Sequence, residues 1–235
     1  MAAFLDGERA QEDRDWLESI RDYFSVWTGG PDVPRAERLL AIARQDNDFQ
    51  SERNLASYLA CCAFAAGDAA RALELSEPYV RSAGLADITE FDFTGRFALH
   101  AGRLDVAHRL LDVVGAGPGG VADHHIEATQ AGIAALEGRR DDAVALFRSA
   151  LAGYRTFGVR FTFALVVFDM VRLLGADDPA VRSVIEEARA ILEELGARPL
   201  LDQLDELGGG GRSAPSGRGA KRESTVTSQS QLGDA

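Results

Sequence analysis

The sequence predicts an all-α protein: a right-handed superhelix of about five antiparallel helix pairs, with a disordered C-terminal tail. Three observations lead there. Apolar residues recur at three- and four-residue intervals, as in Val181, Val184, Ile185, Ala188, Ile191 and Leu192, which is the stripe of an amphipathic helix. Strand signals are weak, with no sustained period-two alternation and no Asn-Gly or Asp-Gly turn. Glycines fall at Gly30, Gly67, Gly102, Gly138 and Gly175, with gaps of 37, 35, 36 and 37 residues.

The period has a physical reading. It holds two helices of three to four turns with their connections. Each glycine ends a first helix, because a C-terminal cap takes a left-handed residue. An alanine follows five residues after four of these glycines, at Ala72, Ala107, Ala143 and Ala180. It lies in the second helix and faces the first, where small side chains let the two axes approach. Four and seven residues before the middle three glycines stand Ala63, Ala98, Ala134 and Ala60, Gly95, Ala131. A single pair leaves part of its apolar face open, so neighbouring pairs stack.

From the N-terminus, residues 1–12 read as a flexible, charged lead without the apolar core of a signal peptide. The repeat domain spans 13–207. It opens with a helix near Trp16 to Thr28 whose Trp16, Tyr23, Phe24 and Trp27 share one face. Packing explains that face. If it lacks a partner within the chain, it serves for homodimerisation or docking. A short helix near Pro199 to Leu207 closes the domain. From Gly208 to Ala235 Gly, Ser, Thr and Gln dominate, a composition that cannot offset the entropy of ordering.

Composition narrows the function. Hydrophobic residues make up 46%, which fits a globular chain with a core. The formal charge is -12; setting aside the four bases and two acids of the tail leaves -14 on residues 1–207. Such a body repels phosphate backbones, so nucleic acid is not its partner. Phe161 to Val171 is too short to span a bilayer and contains Asp169, so no membrane partner is expected either. The two cysteines, Cys61 and Cys62, are adjacent on a helix and badly placed for a disulfide, which suits a reducing, cytoplasmic setting.

Motifs for chemistry fail on context. Gly115 to Gly120 spells GxGxxG, yet a helical stripe precedes it and Pro118 removes an amide, so it reads as an inter-repeat loop. His100 and His108 lie two turns apart, too far to share a metal. His124 and His125 start a helix after Asp123, read as its N-cap. The pairs Asp141-Asp142 and Asp177-Asp178 suit helix N-termini, and Pro179 suits a first turn. Ser57, Ser76 and Ser149 sit in no nucleophile elbow. No metal, cofactor or catalytic residue is assigned. On the inner face of the first helices, Asn54, Ser57, Thr89, Asp92, Arg96, His100, His125, Asp169 and Arg172 are not needed for packing. They suit capture of a protein or peptide partner; the alternative is that they simply meet water.

The segments Ala60–Ala72 (ACCAFAAGDAARA), Gly95–Ala107 (GRFALHAGRLDVA) and Ala131–Ala143 (AGIAALEGRRDDA) resemble the tetratricopeptide repeat family, over roughly Trp16 to Leu207. The outer units depart from its pattern. After Gly30 the alanine is one residue late, at Ala36 beside Pro34, and Phe168 replaces the small residue of the last unit. Leu151 to Gly158 and Ala188 to Leu201 are similar to the C-terminal end of large bacterial signalling ATPases, which often carry cyclase or LuxR-type DNA-binding domains. No Walker lysine, cyclase metal pair or C-terminal helix-turn-helix accompanies them. The resemblances imply a non-catalytic interaction scaffold in cytoplasmic signalling or transcription control. The alternative is an effector-sensing regulatory fragment of such an ATPase.

Overall fold

The structure is a computed structural model that describes residues 25–80, 88–114 and 119–209. All regular structure among these residues is helical. Residues 25–28 end a helix. After them come α1 (Val33–Asp46), α2 (Phe49–Ala65), α3 (Ala69–Val80), α4 (Ile88–His100), α5 (Leu104–Val114) and α6 (Val121–Leu136). The chain continues through α7 (Arg140–Phe157), α8 (Arg160–Leu174), the single turn α9 (Pro179–Arg182), α10 (Ile185–Glu194) and α11 (Arg198–Gly209). The flexible lead (1–12), Trp16, Tyr23, Phe24, the loop 115–118 and the tail from 210 lie outside the described residues.

The glycine period marks the turns. Gly67, Gly102, Gly138 and Gly175 have φ of +85°, +69°, +78° and +90°. A side chain at such φ would be strained, so glycine ends these helices at least cost. Three of the turns repeat one bond pair. The amides of Gly67 and Asp68 donate to Phe64 and Ala63 carbonyls; those of Gly102 and Arg103 to Leu99 and Ala98; those of Gly138 and Arg139 to Ala135 and Ala134. This Schellman closure satisfies the last carbonyls and reverses the chain in three residues. At the first unit the left-handed residue is Gly29 (φ +86°), not Gly30.

The alanines behave as the spacing requires. Ala72, Ala107 and Ala143 are fully buried and Ala180 is 3% exposed. The inner helices α2, α4, α6 and α8 touch in series, and α4 also reaches α8. The outer helices α1, α3, α5, α7 and α10 pack on them. The main core runs between the layers from Val26 to Leu204, and a smaller cluster of Ala36, Leu40, Ala56, Leu59 and Tyr79 joins α1 to α2 and α3. Trp27, read from the sequence as part of an aromatic face, is inside that main core, against Phe93 at 5.9 Å and Phe161 at 5.3 Å between ring centres. It is therefore unavailable for dimerisation.

Ion pairs at the surface tie elements 32 to 38 residues apart, Asp178 being the largely buried partner among them. Glu77 meets Arg109 at 2.6 Å, Asp178 meets Arg140 at 2.7 Å, and Glu194 meets Arg160 at 2.6 Å. Arg155 pairs with Glu187. α11 docks Leu200, Leu201 and Leu204 into the core, and the Gln203 side-chain amide donates to the Ala65 carbonyl at 3.0 Å, joining the last helix to α2.

Candidate functional site

The inner helices bring together side chains that are far apart in sequence. Asp92, Arg96 and His100 are spaced by four on α4, so they share one face. That face meets α6 and α8. Arg96 Nε donates to Asp169 at 2.8 and 3.1 Å, and its Nη1 donates to Asp92 at 3.0 Å. His100 Nε2 lies 2.7 Å from Asp169 Oδ1, and His125 Nδ1 lies 3.0 Å from Asp92 Oδ1. A carboxylate only accepts, so each of these ring nitrogens carries a proton. The Tyr154 hydroxyl on α7 stands 3.1 Å from His125 Nδ1, and Thr129 donates to the His125 carbonyl at 3.0 Å. His100 is stacked on Phe168 (5.5 Å) and meets Phe64 edge-on (5.0 Å).

Electrostatics follow from burial. The side chains of Arg96 and His100 are 2% exposed, and those of Asp92 and Asp169 5%. Burial works to raise the Asp92 carboxyl, but the Arg96 charge and the His125 bond overcome it and hold it at about 2. Burial likewise works to lower Arg96, and Asp169 with Asp92 reverse it, so the guanidinium is held above its ordinary value. Burial pushes the Tyr154 hydroxyl well above its ordinary range, with the Asp92 charge adding to it.

Five of the nine residues read as groove walls therefore form one closed network: Asp92, Arg96, His100, His125 and Asp169. They do not line an open groove. Their charges satisfy one another, because a charge on a desolvated face is retained only when paired. The other four lie apart. Asn54 is exposed and accepts from Gln50 at 3.0 Å. Ser57 edges a small crevice beside Phe93 and Phe97. Arg172 is exposed beside a notch of about 460 Å³ between α11 and the α2–α3 turn. Thr89 falls in α4, with its side chain outside the described residues.

Sequence reasoning missed Tyr154. Its signal was Gly153, where an added Cβ would stand 2.1 Å from the His124 ring: a glycine in mid-helix that admits another helix's imidazole. It also misplaced a cap. α6 begins at Val121 with Gly120 as N-cap, and Asp123 sits in the first turn, accepting from the Gly119 amide at 3.1 Å. The readings of Asp141, Asp142 and Asp178 fit: the first two lie in the first turn of α7, and Asp178 caps α9 through the Ala180 amide at 2.8 Å.

No hydrolytic relay is assembled at Ser149. Its hydroxyl donates to Glu127 at 3.0 Å, and Glu127 holds His124 Nδ1 at 2.9 Å. The carboxylate stands between serine and histidine, whereas a triad needs histidine in the middle. Among the described residues no group of three His, Cys, Asp or Glu side chains could hold a metal, and no helix is long and apolar enough to cross a membrane.

An open groove of about 640 Å³ lies elsewhere, between α1 and α3 over α2, floored by Leu40, Leu59, Cys62 and Leu75. Burial pushes the Cys62 thiol up to about 11, so it serves the floor as an apolar group. Comparison of the chain with protein-family models, with curated proteins and with solved structures finds no match.

Proposed function

We propose that the chain is a non-catalytic protein-interaction scaffold of the tetratricopeptide type, five helix pairs wound as a right-handed superhelix, acting in cytoplasmic bacterial signalling or transcription control. The observation that supports it best is the repeated hairpin. The same Schellman bonds recur at Gly67, Gly102 and Gly138, and ion pairs such as Glu77–Arg109 join elements one unit apart. A stack built this way presents a large rigid surface at small cost in ordering on binding. The Arg96 network occupies the inner face around α4, α6 and α8, so partner capture falls on the remaining surface.

The test is affinity capture with the purified chain from bacterial lysate, with each recovered protein then remade pure and mixed back. A stoichiometric complex by light scattering is the expected result. A metabolite that raises the melting temperature, with no protein complex formed, overturns the scaffold in favour of effector sensing.

A further inference from the structure

Resting on the scaffold reading, we infer that the seat of α11 is a helix-binding site which the chain fills with its own last described helix, and that a partner's acidic, leucine-anchored helix takes this seat by displacing α11.

α11 lies on the stack as a ligand would. Leu200 and Leu204 are fully buried and Leu207 is packed against the core, while Asp202, Asp205 and Glu206 are exposed. Leucines at i, i+4 and i+7 with acids between them make an amphipathic helix laid in a groove. The walls of that groove are α8 and α10. Its far side is the α2–α3 turn, where Gln203 reaches across 138 residues of sequence to the Ala65 carbonyl. α8 is already paired with α10, so α11 has no hairpin mate and rests on a completed stack.

The hold on α11 is slight for a helix so placed. Its link to α10 is one tight turn, with Gly196 at φ +67° and the Gly196 and Ala197 amides donating to the Glu193 and Leu192 carbonyls at 3.1 and 2.8 Å. A glycine at such a turn absorbs a change of φ and ψ and acts as the hinge. Among the described residues the side-chain bonds that tie α11 to the rest are the Gln203 bond and an exposed ion pair, Arg189 with Asp205 at 2.6 Å. An exposed pair adds little. Toward the α2–α3 turn the helix faces the notch of about 460 Å³ in place of apolar packing. α4, α6 and α8, joined by the Arg96 network, have no such open edge, so α11 is the element to open first.

The resident helix sets the chemistry of its replacement. The seat takes leucine-sized anchors at the spacing of Leu200, Leu204 and Leu207. Arg189 on α10 receives Asp205, and Arg172 on α8 lines the notch beside Asp202 and Glu206, so acids between the anchors are favoured over bases.

The experiment uses the full chain and a labelled peptide of residues 198–209, read by fluorescence anisotropy. A tethered helix competes at millimolar effective concentration, so wild type should bind the peptide poorly. Leu200→Asp with Leu204→Asp in the full chain strips the anchors from the resident helix and leaves the seat as it is. This double variant should bind the peptide at least about tenfold tighter than wild type. The peptide carrying the same two substitutions should not bind, and one carrying Asp202→Lys, Asp205→Lys and Glu206→Lys should bind more weakly, by a margin that salt shrinks. Gln203→Ala in the full chain should raise peptide affinity by a smaller factor than the double variant. Hydrogen exchange on wild type needs no variant: α11 amides should exchange at least about tenfold faster than those of α8. If circular dichroism shows the double variant unfolded, Gln203→Ala and hydrogen exchange decide. Equal peptide binding by wild type and a folded double variant, or exchange of α11 only together with α8, overturns the site. A wild-type dimer by light scattering that the folded double variant fails to form gives the seat to a second copy and overturns the partner. A native partner that binds wild type and the folded double variant with equal affinity overturns the displacement while leaving the scaffold reading standing.

Discussion

Replacing Arg96 by Met separates the Arg96 network from ordinary surface charge. Methionine has similar length and no charge, so packing changes little. What is lost is the guanidinium that donates three bonds, two to Asp169 and one to Asp92, at 2.8 to 3.1 Å. Both carboxylates then stay buried with one histidine each. Removing one partner of a buried ion pair costs about 3–5 kcal/mol, most of it the penalty of the charge left behind. In a chain of this size each kcal/mol moves the melting midpoint by about 2–4 °C, so the midpoint should fall by about 6–20 °C. Urea unfolding by far-UV circular dichroism at neutral pH measures the free energy directly. The triple variant Asp92→Asn, Arg96→Met, Asp169→Asn removes the stranded charges and should recover at least half of the loss. Arg160→Met, which breaks an exposed pair with Glu194, should leave the midpoint unmoved. A loss below about 1 kcal/mol for Arg96→Met, in the range of a surface pair, would refute the view that this network holds the inner helices together.

Further predictions follow from the same structure. Asp92 has a folded pKa below its unfolded value, so its contribution is fully present above about pH 4 and is lost as pH falls toward 2; in acid titrations Asp92→Asn should flatten that slope by about 2 kcal/mol. Gly153→Ala puts a Cβ 2.1 Å from the His124 ring and should destabilise by about 1–3 kcal/mol despite better helix propensity. Gly95→Ala meets the Thr129 hydroxyl at a looser 3.2 Å and should cost less, a ranking that chemical denaturation checks. With burial pushing its thiol to about 11, Cys62 should react with a thiol reagent at mildly alkaline pH only slowly in the folded chain and at the free-cysteine rate in urea.

Much of the helical framework was legible because its signals are local. A glycine at a helix end and an alanine five residues on report on one turn and one contact, and Gly67 with Ala72 behaves as such a pair should. The closing helix was placed within two residues of its observed limits. The network was legible only in its parts. Arg96 and Asp169 are 73 residues apart, and nothing local says that an arginine on one helix faces an aspartate two units away. A clue was present in Asp169 itself, a carboxylate amid Phe163 to Val171 with no room to reach water. A charge in so apolar a stretch implies a buried partner.

The reach of Arg96 across α6 to Asp169 fixes how this molecule can change its size. An array held by nearest-neighbour contacts lengthens freely, since a duplicated hairpin finds the same neighbours as its parent. Here a hairpin inserted between α4 and α8 would carry the carboxylate away by the thickness of a helix, roughly 8–10 Å, and strand both charges. An insertion anywhere from α3 through α10 would also separate Gln203 from Ala65. The number of helices between α4 and α8 is thus part of the protein's stability, and an insertion or loss there must be accompanied by rewriting the charges of Arg96, Asp92 and Asp169.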